Sequence, residues 1–334
     1  GSDTMNNYIG QKAAAELYEN LLCSEDEFLA GLKENAARAG QGLKTDIQLW
    51  SVDNDGNHKP FHLYIPRWAI TGVVSRTGGG KTTTLVSLAV RLTMDGKTGL
   101  YVTLEEPDYA ITAKMLASYS AYTNQGYSAN KITTGEAMKI IAGKRGYDDM
   151  AGFQKNVLGR CRPIDANKHI DGSNLASPNL LYQPQYIADI LDYVKGDGKP
   201  LDFVICDFAQ LLEVEGSDTN NSHNRVKAVM RVLKALSGTG IAVIIGAQLQ
   251  RAVFSEWIFD YEAEHCLGGA DMEQSTNLLI CCGRDTKQKD IDQRDVIRLL
   301  KNRNGKKRCG GMTTFDWEHC FIPTLTEQPT EKAL

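Results

Sequence analysis

Short apolar runs, most of them ending in polar residues, alternate along this chain with segments whose apolar residues recur at helical spacing. Strands buried on both faces and amphipathic helices produce this alternation. It predicts an α/β fold with a mostly parallel, twisted sheet flanked by helices, in which chemistry gathers at the carboxyl ends of the strands. The predicted strands are WAITGVV (68–74), TGLYVTLEE (98–106), LDFVICDFAQ (201–210), IAVIIGAQLQR (241–251) and NLLICCGRD (277–285).

A helix is predicted between the first two of these strands. Its apolar positions fall on one face from Lys81 to Met94, and the pair Asp95-Gly96 ends it. That face consists of Leu85, Leu88, Ala89 and Leu92. A strand, a glycine-rich loop and a helix therefore follow one another directly.

The two ends of the chain depart from this alternation. Residues 11–38 carry apolar positions at helical spacing and predict one or two amphipathic helices, which either pack on their own domain or dock on a neighbouring subunit. The segment SVDNDGNHKP (51–60) is interpreted as a polar, turn-rich passage. Near the other end, DVIRLLK (295–301) and MTTFDW (312–317) flank a glycine-containing turn and predict an antiparallel hairpin added to the sheet.

Length and composition fit one large domain with small additions. The chain has 334 residues, of which 42% are hydrophobic, enough for a sizeable core. No apolar run approaches the roughly 20 residues that span a bilayer, and the N-terminus lacks the pattern of a secretory signal. The eight cysteines form no C-x-x-C pair, which favours a reducing, cytoplasmic setting with the cysteines as core residues. The predicted units are an expression scar (1–4), a helical linker segment (5–41), the main domain (42–326) and a tail (327–334).

The segment SRTGGGKTTT (75–84) opens the predicted helix. It matches the phosphate-binding loop G-x-x-x-x-G-K-[ST] except that Ser75 replaces the first glycine. Backbone N–H groups can surround phosphates here, Lys81 can neutralise the β and γ phosphates of ATP, and the Thr82 hydroxyl can complete a Mg²⁺ shell. Serine is compatible with this turn if its backbone angles stay ordinary. The predicted nucleotide-binding residues are Ser75, Gly78, Gly79, Gly80, Lys81, Thr82 and Thr83.

Polar residues end three of the predicted strands. Asp207 follows the apolar FVIC and is a candidate Mg²⁺ ligand, because a buried carboxylate needs a compensating cation; otherwise it caps a helix. Glu105 and Glu106 compete for the role of polarising the attacking water, and either could instead cap the helix that begins near Asp108. Gln248 could hydrogen-bond a γ phosphate and sense it, or could be a buried amide satisfied by backbone.

The predicted hairpin is strongly basic. Ten basic and four acidic residues lie between Arg284 and Arg308, a net charge of +6 in a chain whose total is −4. Lys301 and Arg303 lie two positions apart, so their side chains leave the same face of the strand. We expect them to reach phosphates bound by another subunit, as an arginine finger does. The alternative is an ordinary solvated hairpin.

These motifs, in this order, resemble those of the C-terminal RecA-like motor domain of DnaB-type hexameric replicative helicases. The resemblance runs from about Gly42 to Leu325. SRTGGGKTT resembles the family's phosphate loop, whose first position is commonly a small residue other than glycine. VTLEEP resembles its S-L-E-M segment, VICDFAQLL its I-D-Y-L-Q-L segment, and GAQLQR its S-Q-L-N-R segment. LLKNRNG resembles the hairpin that places a lysine and an arginine on the neighbour's ATP.

The resemblance implies a RecA-like P-loop NTPase that hydrolyses ATP with Mg²⁺ between the subunits of a hexameric ring. Such a ring translocates on single-stranded DNA and works with a loader or with other replication or mobile-element proteins. In this chain, Glu105 rather than Glu106 would be the catalytic glutamate, and Asp207 would support the metal. Gln248 would sense the γ phosphate. Lys301 and Arg303 would arrive from the neighbouring subunit.

Two departures from the family pattern concern DNA and partners. CLGGADMEQ carries Leu267 and Gly268 where the family has an Arg-Glu pair in its DNA-facing loop. Too few residues precede the lead-in segment GLKTDI to form the family's helical collar, so the collar was removed or the chain is a compact relative from a mobile element. Segments 214–226 and 251–270 are expected to reach DNA. The candidate DNA contacts are Arg225, Arg251, Gly268 and Gly269.

Two other functions stay open at this point. One is a RecA-like DNA-binding ATPase without unwinding activity, such as a loader, a recombination mediator or a defence component; Leu267, Gly268 and the missing collar favour it. The other is a nucleotide-gated assembly protein, in which ATP only joins subunits. Glu105 argues against the latter, because a purely structural nucleotide needs no water-activating carboxylate.

Overall fold

The computed structural model of this chain describes residues 24–40, 42–166, 187, 201–207, 222–251, 258–266, 269–285, 294–303, 305 and 309–329. Among these residues, ten strands form one mixed sheet. The strands are β1 (Leu43–Val52), β2 (His58–Ile65), β3 (Ala69–Ser75), β4 (Gly99–Thr103), β5 (Cys161–Asp165), β6 (Phe203–Asp207), β7 (Ala242–Gln248), β8 (Leu278–Arg284), β9 (Asp295–Asn302) and β10 (Cys309–Thr313). The α-helices are α1 (Glu25–Gly40), α2 (Lys81–Met94), α3 (Asp108–Thr123), α4 (Thr134–Ile141), α5 (Met150–Phe153), α6 (Ser222–Ser237) and α7 (Gly269–Ser275).

The strand order places the predicted loop at the centre of the sheet. Across the sheet the order is β2-β1-β10-β9-β8-β3-β7-β6-β4-β5, and the strands from β8 to β5 are all parallel. This confirms the predicted, mostly parallel α/β fold, and β3, β4, β6, β7 and β8 are the five predicted strands. The glycine-rich loop leaves the central strand β3, whose neighbours are β7 and β8, and β6 lies on the far side of β7.

The predicted C-terminal hairpin is present, but its second strand begins earlier than predicted. β9 and β10 pair antiparallel, and Thr313, the last residue of β10, lies opposite Asp295. The segment MTTFDW (312–317) therefore contributes only its first two residues to the strand. The chain leaves the sheet at Phe315, whose N–H donates to the buried Asp295 carboxylate at 2.8 Å.

A second hairpin, β1–β2, lies where the sequence was interpreted as a polar, turn-rich passage. The turn is there, at residues 53–57, but the residues on either side belong to strands. The Asp53 carboxylate closes the turn by accepting the N–H groups of Asp55 (3.0 Å) and Asn57 (2.9 Å). β1 alternates buried and partly exposed residues, and β2 forms the edge of the sheet. Neither strand therefore shows the uninterrupted apolar run of a central strand.

Helices cover both faces of the sheet, and each face has its own core. α2 and α3 pack on one face, and α6 packs on the other. The predicted apolar face of α2 is confirmed, since Leu85, Leu88, Ala89 and Leu92 are all fully buried. Burial of each leucine contributes about 1.5–3 kcal/mol. This packing fixes the first turn of α2 beneath the glycine-rich loop.

Helix α1 is part of the N-terminal helix predicted over residues 11–38; residues 11–23 lie outside the described part of the chain. Its apolar residues Phe28, Leu29 and Leu32 are 48%, 50% and 47% exposed. They are therefore about half buried by the described residues, and the two interpretations of this helix, packing on its own domain or docking on a neighbouring subunit, stay open. No helix within the described ranges is both long and apolar enough to cross a bilayer.

The cysteines in the described part of the chain are buried thiols, which confirms the prediction that they serve as core residues. Burial raises the pKa of Cys161 and of Cys206 to about 12. Both thiols therefore stay protonated and unreactive at neutral pH.

Candidate nucleotide site

The loop between β3 and α2 depends on its three glycines. Gly78 and Gly80 have φ values of 71° and 98°, which side-chain-bearing residues rarely adopt. A Cβ on Gly79 would lie 2.9 Å from the carbonyl oxygen of Arg76, and the Gly79 N–H donates to that same carbonyl at 2.9 Å. The backbone therefore turns tightly immediately before Lys81, as a phosphate-binding loop requires.

Ser75 fits the position where the motif has glycine. It is the last residue of β3, pairs with Gln248 of β7, and is 1% exposed. It is not among the residues with positive φ, and its hydroxyl donates to the carbonyl of Arg76 at 2.8 Å. The expectation that serine keeps ordinary backbone angles here is confirmed.

Asp207 is the centre of a buried polar cluster at the end of β6. Only 3% of it is exposed. Its Oδ2 atom accepts hydrogen bonds from the Thr82 hydroxyl at 2.8 Å and from the phenol of Tyr101 at 3.2 Å. The Lys81 ammonium lies 3.3 Å from Oδ1. Burial, and after it the charge of Asp207, raises the pKa of Tyr101 well above its usual value, so the phenol remains a proton donor.

This cluster fits a magnesium ion held mainly by phosphates. The buried Oδ1 atom of Asp207 has no hydrogen-bond partner. The Thr82 hydroxyl donates to the other oxygen of the same carboxylate, Oδ2. The described residues contain no group of three histidine, cysteine or acidic side chains that could hold a metal alone. One hydroxyl and one carboxylate are the protein oxygens that Mg²⁺ typically takes beside a nucleotide.

The two adjacent glutamates, Glu105 and Glu106, differ in their contacts and exposure. Glu106 is bound to Lys114, whose ammonium lies 2.5 Å and 2.6 Å from its two carboxylate oxygens. Glu105 is 54% exposed at its side chain, with Oε2 3.7 Å from the Lys81 ammonium. The Thr103 hydroxyl donates to the Glu106 carbonyl at 2.6 Å and so fixes the turn that carries both. Only Glu105 thus extends beside the lysine of the loop.

These residues enclose one cavity of about 260 Å³. Gln248, at the end of β7, lines it together with Glu105 and Lys81. Asp207, the third side chain predicted at a strand end, does not line the cavity but contacts Lys81 and Thr82, which do. The cavity wall also includes Lys114 and Trp317, which the sequence did not indicate.

A neighbouring cavity of about 250 Å³ adjoins the outer side of the loop. It shares Arg76, Gly78 and Trp317 with the first cavity and adds Arg284. The Arg284 guanidinium lies 5.6 Å from the centre of the Trp317 ring, a cation–π contact. Sequence reasoning missed both residues, because Trp317 was assigned to a strand and Arg284 only to a basic stretch.

Gly246 was missed as well. A Cβ at this position would lie 3.0 Å from Asp207 Oδ1 and 3.0 Å from the Lys81 side chain. The signal was available, because a glycine inside an otherwise apolar strand often marks close approach of another group.

Lys301 and Arg303 lie far from their own phosphate loop. The Arg303 N–H donates to the carbonyl of Asn277 at 2.9 Å, just before β8, whereas Ser75 lies one residue beyond the pair Val74–Cys281. The separation along the strand is roughly 17 Å. Both cations instead bind the last turn of α7, Lys301 at the carbonyl of Glu273 and Arg303 at that of Gln274 (3.0 Å).

The two cations also influence each other. Burial, and to a lesser extent the nearby Arg303 guanidinium, lowers the pKa of Lys301 from its ordinary value. Arg303 remains exposed. The pair therefore lies beside α7 at the end of the hairpin, out of reach of the subunit's own cavity.

The predicted DNA contacts are only partly described. Arg251 is exposed just beyond β7, and Gly269 is the first residue of α7. Gly268, Leu267 and the side chain of Arg225 lie outside the described residues, as do parts of segments 214–226 and 251–270.

No protein-family model and no curated protein matches the chain. Solved structures do match. The ATPase domain of G40P superposes with a TM-score of 0.58 at 15% sequence identity, over 79% of this chain and 86% of that domain. A DnaB-like replicative helicase, described with its interactions with primase, gives a TM-score of 0.58 at 18% identity, over 93% of this chain and 71% of that one. At these identities the likeness establishes the fold, which is RecA-like.

Proposed function

We propose that this protein is an ATP-hydrolysing motor of the DnaB type. Copies of the chain form a ring of six, ATP is hydrolysed between neighbouring subunits, and the ring translocates on single-stranded DNA. The observation that carries this proposal is one cavity in a RecA-like fold that is lined by Lys81, Thr82 and Glu105. The buried Asp207 carboxylate contacts Lys81 and Thr82 behind that lining.

The loop and its flanking residues bind the nucleotide in this proposal. Backbone N–H groups from Gly78 to Thr83 surround the phosphates at the first turn of α2, whose positive end favours anions. Lys81, held between the carboxylates of Glu105 and Asp207, moves its charge to the β and γ phosphates. Arg284 and Trp317, on the outer side of the loop, form the wall against which the nucleoside end lies.

Thr82 and Asp207 would hold Mg²⁺. The ion would neutralise charge on the phosphates and orient the γ phosphate. Tyr101 fixes the Asp207 carboxylate from its buried side through the bond to Oδ2, so that the other oxygen stays directed toward the lysine.

Glu105 activates the attacking water. It is accessible and stands beside Lys81, whereas Glu106 is occupied by Lys114. Gln248 senses the γ phosphate from the end of β7, where it lines the same cavity as Glu105. A shift of Gln248 moves the end of β7 and, with it, the segment that follows and leads to Arg251.

Lys301 and Arg303 complete the site of the adjacent subunit. Their distance from their own loop rules out a role there in the same chain, and Arg303 is exposed and able to reach a partner. In this arrangement the linker segment (5–41), which contains α1, docks on a neighbouring subunit, because Phe28, Leu29 and Leu32 are half exposed and an apolar partner would bury them.

The test is steady-state ATP hydrolysis with and without single-stranded DNA, for the wild type and Lys81→Ala, with Lys97→Ala as a control. Hydrolysis stimulated by DNA and lost only in Lys81→Ala supports the motor, and unwinding of a forked duplex then separates a helicase from a DNA-binding ATPase that does not unwind. Lys81-dependent hydrolysis that ignores DNA contradicts translocation and favours a nucleotide-gated assembly protein.

A further inference from the structure

Helix α6 carries a row of cations that the nucleotide site does not use. Lys227, Arg231 and Lys234 recur at positions i, i+4 and i+7, so their side chains fall within a narrow arc of one helix face. All three are exposed. The helix sequence, SHNRVKAVMRVLKALS, contains no acidic residue.

The opposite face of α6 fixes the direction of this row. That face packs into the core beneath the sheet through Val226, Val229, Met230, Leu233 and Leu236. Because burial of these side chains holds the helix in one rotation about its axis, the cations cannot turn inward. The row faces away from the sheet.

The row is not neutralised within the described chain. Some lysines elsewhere in that part have carboxylate partners, such as Lys59 with Asp53 at 3.1 Å and Lys97 with Asp95 at 3.6 Å. No described carboxylate lies within ion-pair distance of the three cations of α6. Like charges one turn apart repel each other on a helix, so a bound polyanion would stabilise this face.

The row lies beside the elements expected to reach DNA. α6 follows β6 in the chain, at the edge of the sheet where Asp207 lies, and leads back to the start of β7 at the opposite edge. It contacts α7, whose last turn holds Lys301 and Arg303. Single-stranded nucleic acid bound along α6 would therefore run close to α7, the helix that Lys301 and Arg303 contact.

We propose that Lys227, Arg231 and Lys234 form a binding track for the phosphates of single-stranded nucleic acid. This rests on the proposed function and identifies a surface for its polymer. The three residues span about 10 Å of helix, a length over which one strand of B-form DNA carries roughly three phosphates. Phosphate contacts carry no sequence information, which suits a motor that moves along any sequence.

The test measures fluorescence anisotropy of a labelled oligothymidylate with the full chain and a non-hydrolysable ATP analogue across a series of salt concentrations. The variant Lys227→Gln/Arg231→Gln/Lys234→Gln is compared with Lys139→Gln/Lys144→Gln/Lys155→Gln. The second set removes the same charge from exposed positions on other elements. Both variants should keep the Lys81-dependent hydrolysis measured without DNA, which shows that they fold.

The α6 variant should bind about tenfold or more weakly, and the slope of log K against log salt should be smaller by about 2, or roughly 0.7 for each lost contact. The control set should leave both quantities unchanged. Equal behaviour of the two variants overturns the track but leaves the proposed function intact. If the wild type hydrolyses ATP yet binds no oligothymidylate, the track and the DNA-dependent part of the proposed function both fail. Displacement of the oligothymidylate by polyglutamate at equal charge concentration would also overturn the track, because the row would then accept any acidic polymer.

Discussion

Thr82 Oγ1 donates a 2.8 Å hydrogen bond to Asp207 Oδ2. Thr82 lies in the first turn of α2, which follows β3, and Asp207 ends β6, so the bond links segments that follow from the two strands on either side of β7. This contact places the two protein groups of the proposed Mg²⁺ site, the Thr82 hydroxyl and the Asp207 carboxylate, next to each other. The first prediction tests it.

Replacing Thr82 with valine should lower ATP hydrolysis by about 10- to 100-fold and raise the Mg²⁺ concentration required for half-maximal rate. Valine keeps the shape of threonine but has no hydroxyl to bind Asp207 or an ion. Steady-state phosphate release across a Mg²⁺ titration measures both quantities. Thr82→Ser should retain most activity, and Thr112→Val, at a hydroxyl that only bonds within α3, should behave as wild type. Unchanged Mg²⁺ dependence in Thr82→Val would remove threonine from the metal site.

Glu105→Gln should reduce turnover by about 10²- to 10⁴-fold, the usual contribution of a general base, and leave nucleotide affinity close to wild type. We expect this effect because the Glu105 carboxylate is accessible and lies 3.7 Å from the Lys81 ammonium. Single-turnover hydrolysis and binding of a fluorescent ATP analogue separate the two effects.

Glu106→Gln is the matched control, because it removes the neighbouring carboxylate, which Lys114 already binds. Its effect on turnover should be much smaller. Equal losses of turnover in Glu105→Gln and Glu106→Gln would contradict the assignment of water activation to Glu105 alone.

Arg303→Ala should lower hydrolysis by about 10³- to 10⁵-fold while nucleotide binding persists, because Arg303 lies roughly 17 Å along the sheet from its own loop. Mixing this variant with Lys81→Ala should restore part of the activity. An intact loop from one chain then meets an intact Arg303 from the other.

Arg162→Ala, an exposed arginine on the edge strand β5, is the control and should hydrolyse ATP at the wild-type rate. A mixture no more active than its components would argue that Arg303 acts within its own chain or has no catalytic role.

The parallel half of the sheet could be predicted because each of its central strands is an uninterrupted apolar run with a polar end. The same feature identified Asp207, Glu105 and Gln248, since the carboxyl ends of parallel strands meet at one edge. In contrast, β1 and β2 lie at the edge region, where only one side of a strand is buried. Their alternating pattern was obscured by the turn residues between them.

The residues missed around the site share a cause. Trp317 and Arg284 come together only because β9 and β10 bring the chain back beside β8, a contact between distant segments that local pattern does not contain. The shift of β10 has a similar origin, because the buried Asp295 carboxylate binds the N–H of Phe315 and ends the strand there.

Asp295 should make stability depend on pH. Burial raises the pKa of this carboxyl above its ordinary value, so the folded chain holds the proton more tightly than the unfolded chain. The stabilisation that comes from this tighter proton binding is therefore fully present below the unfolded pKa of about 4. It is lost as the pH rises through the pKa of Asp295 in the folded chain. Asp295→Asn removes this loss. Its melting temperature should exceed that of the wild type by about 1–3 °C at neutral pH, with a smaller difference near pH 4. A difference that is constant with pH would contradict the argument.

Gly246→Ala tests whether close packing positions the lysine of the loop. The added methyl group would lie 3.0 Å from Asp207 Oδ1, from a Leu85 methyl and from the Lys81 side chain, a spacing that one of these groups must relieve. Overpacking of this kind costs about 1–3 kcal/mol. Leu85 is fixed in the core of α2, so the displacement should fall on Lys81 and Asp207.

Gly246→Ala should therefore weaken ATP binding by about tenfold, equivalent to about 1.4 kcal/mol, in addition to a lower melting temperature. Gly135→Ala is the matched control, because its Cβ would meet nothing closer than 3.9 Å in α4. It should stabilise the protein by about 0.5–1 kcal/mol without changing ATP affinity. If Gly246→Ala lowers the melting temperature but binds ATP like the wild type, the lysine adjusts freely within the cavity. Its position then depends on the loop backbone and not on β7.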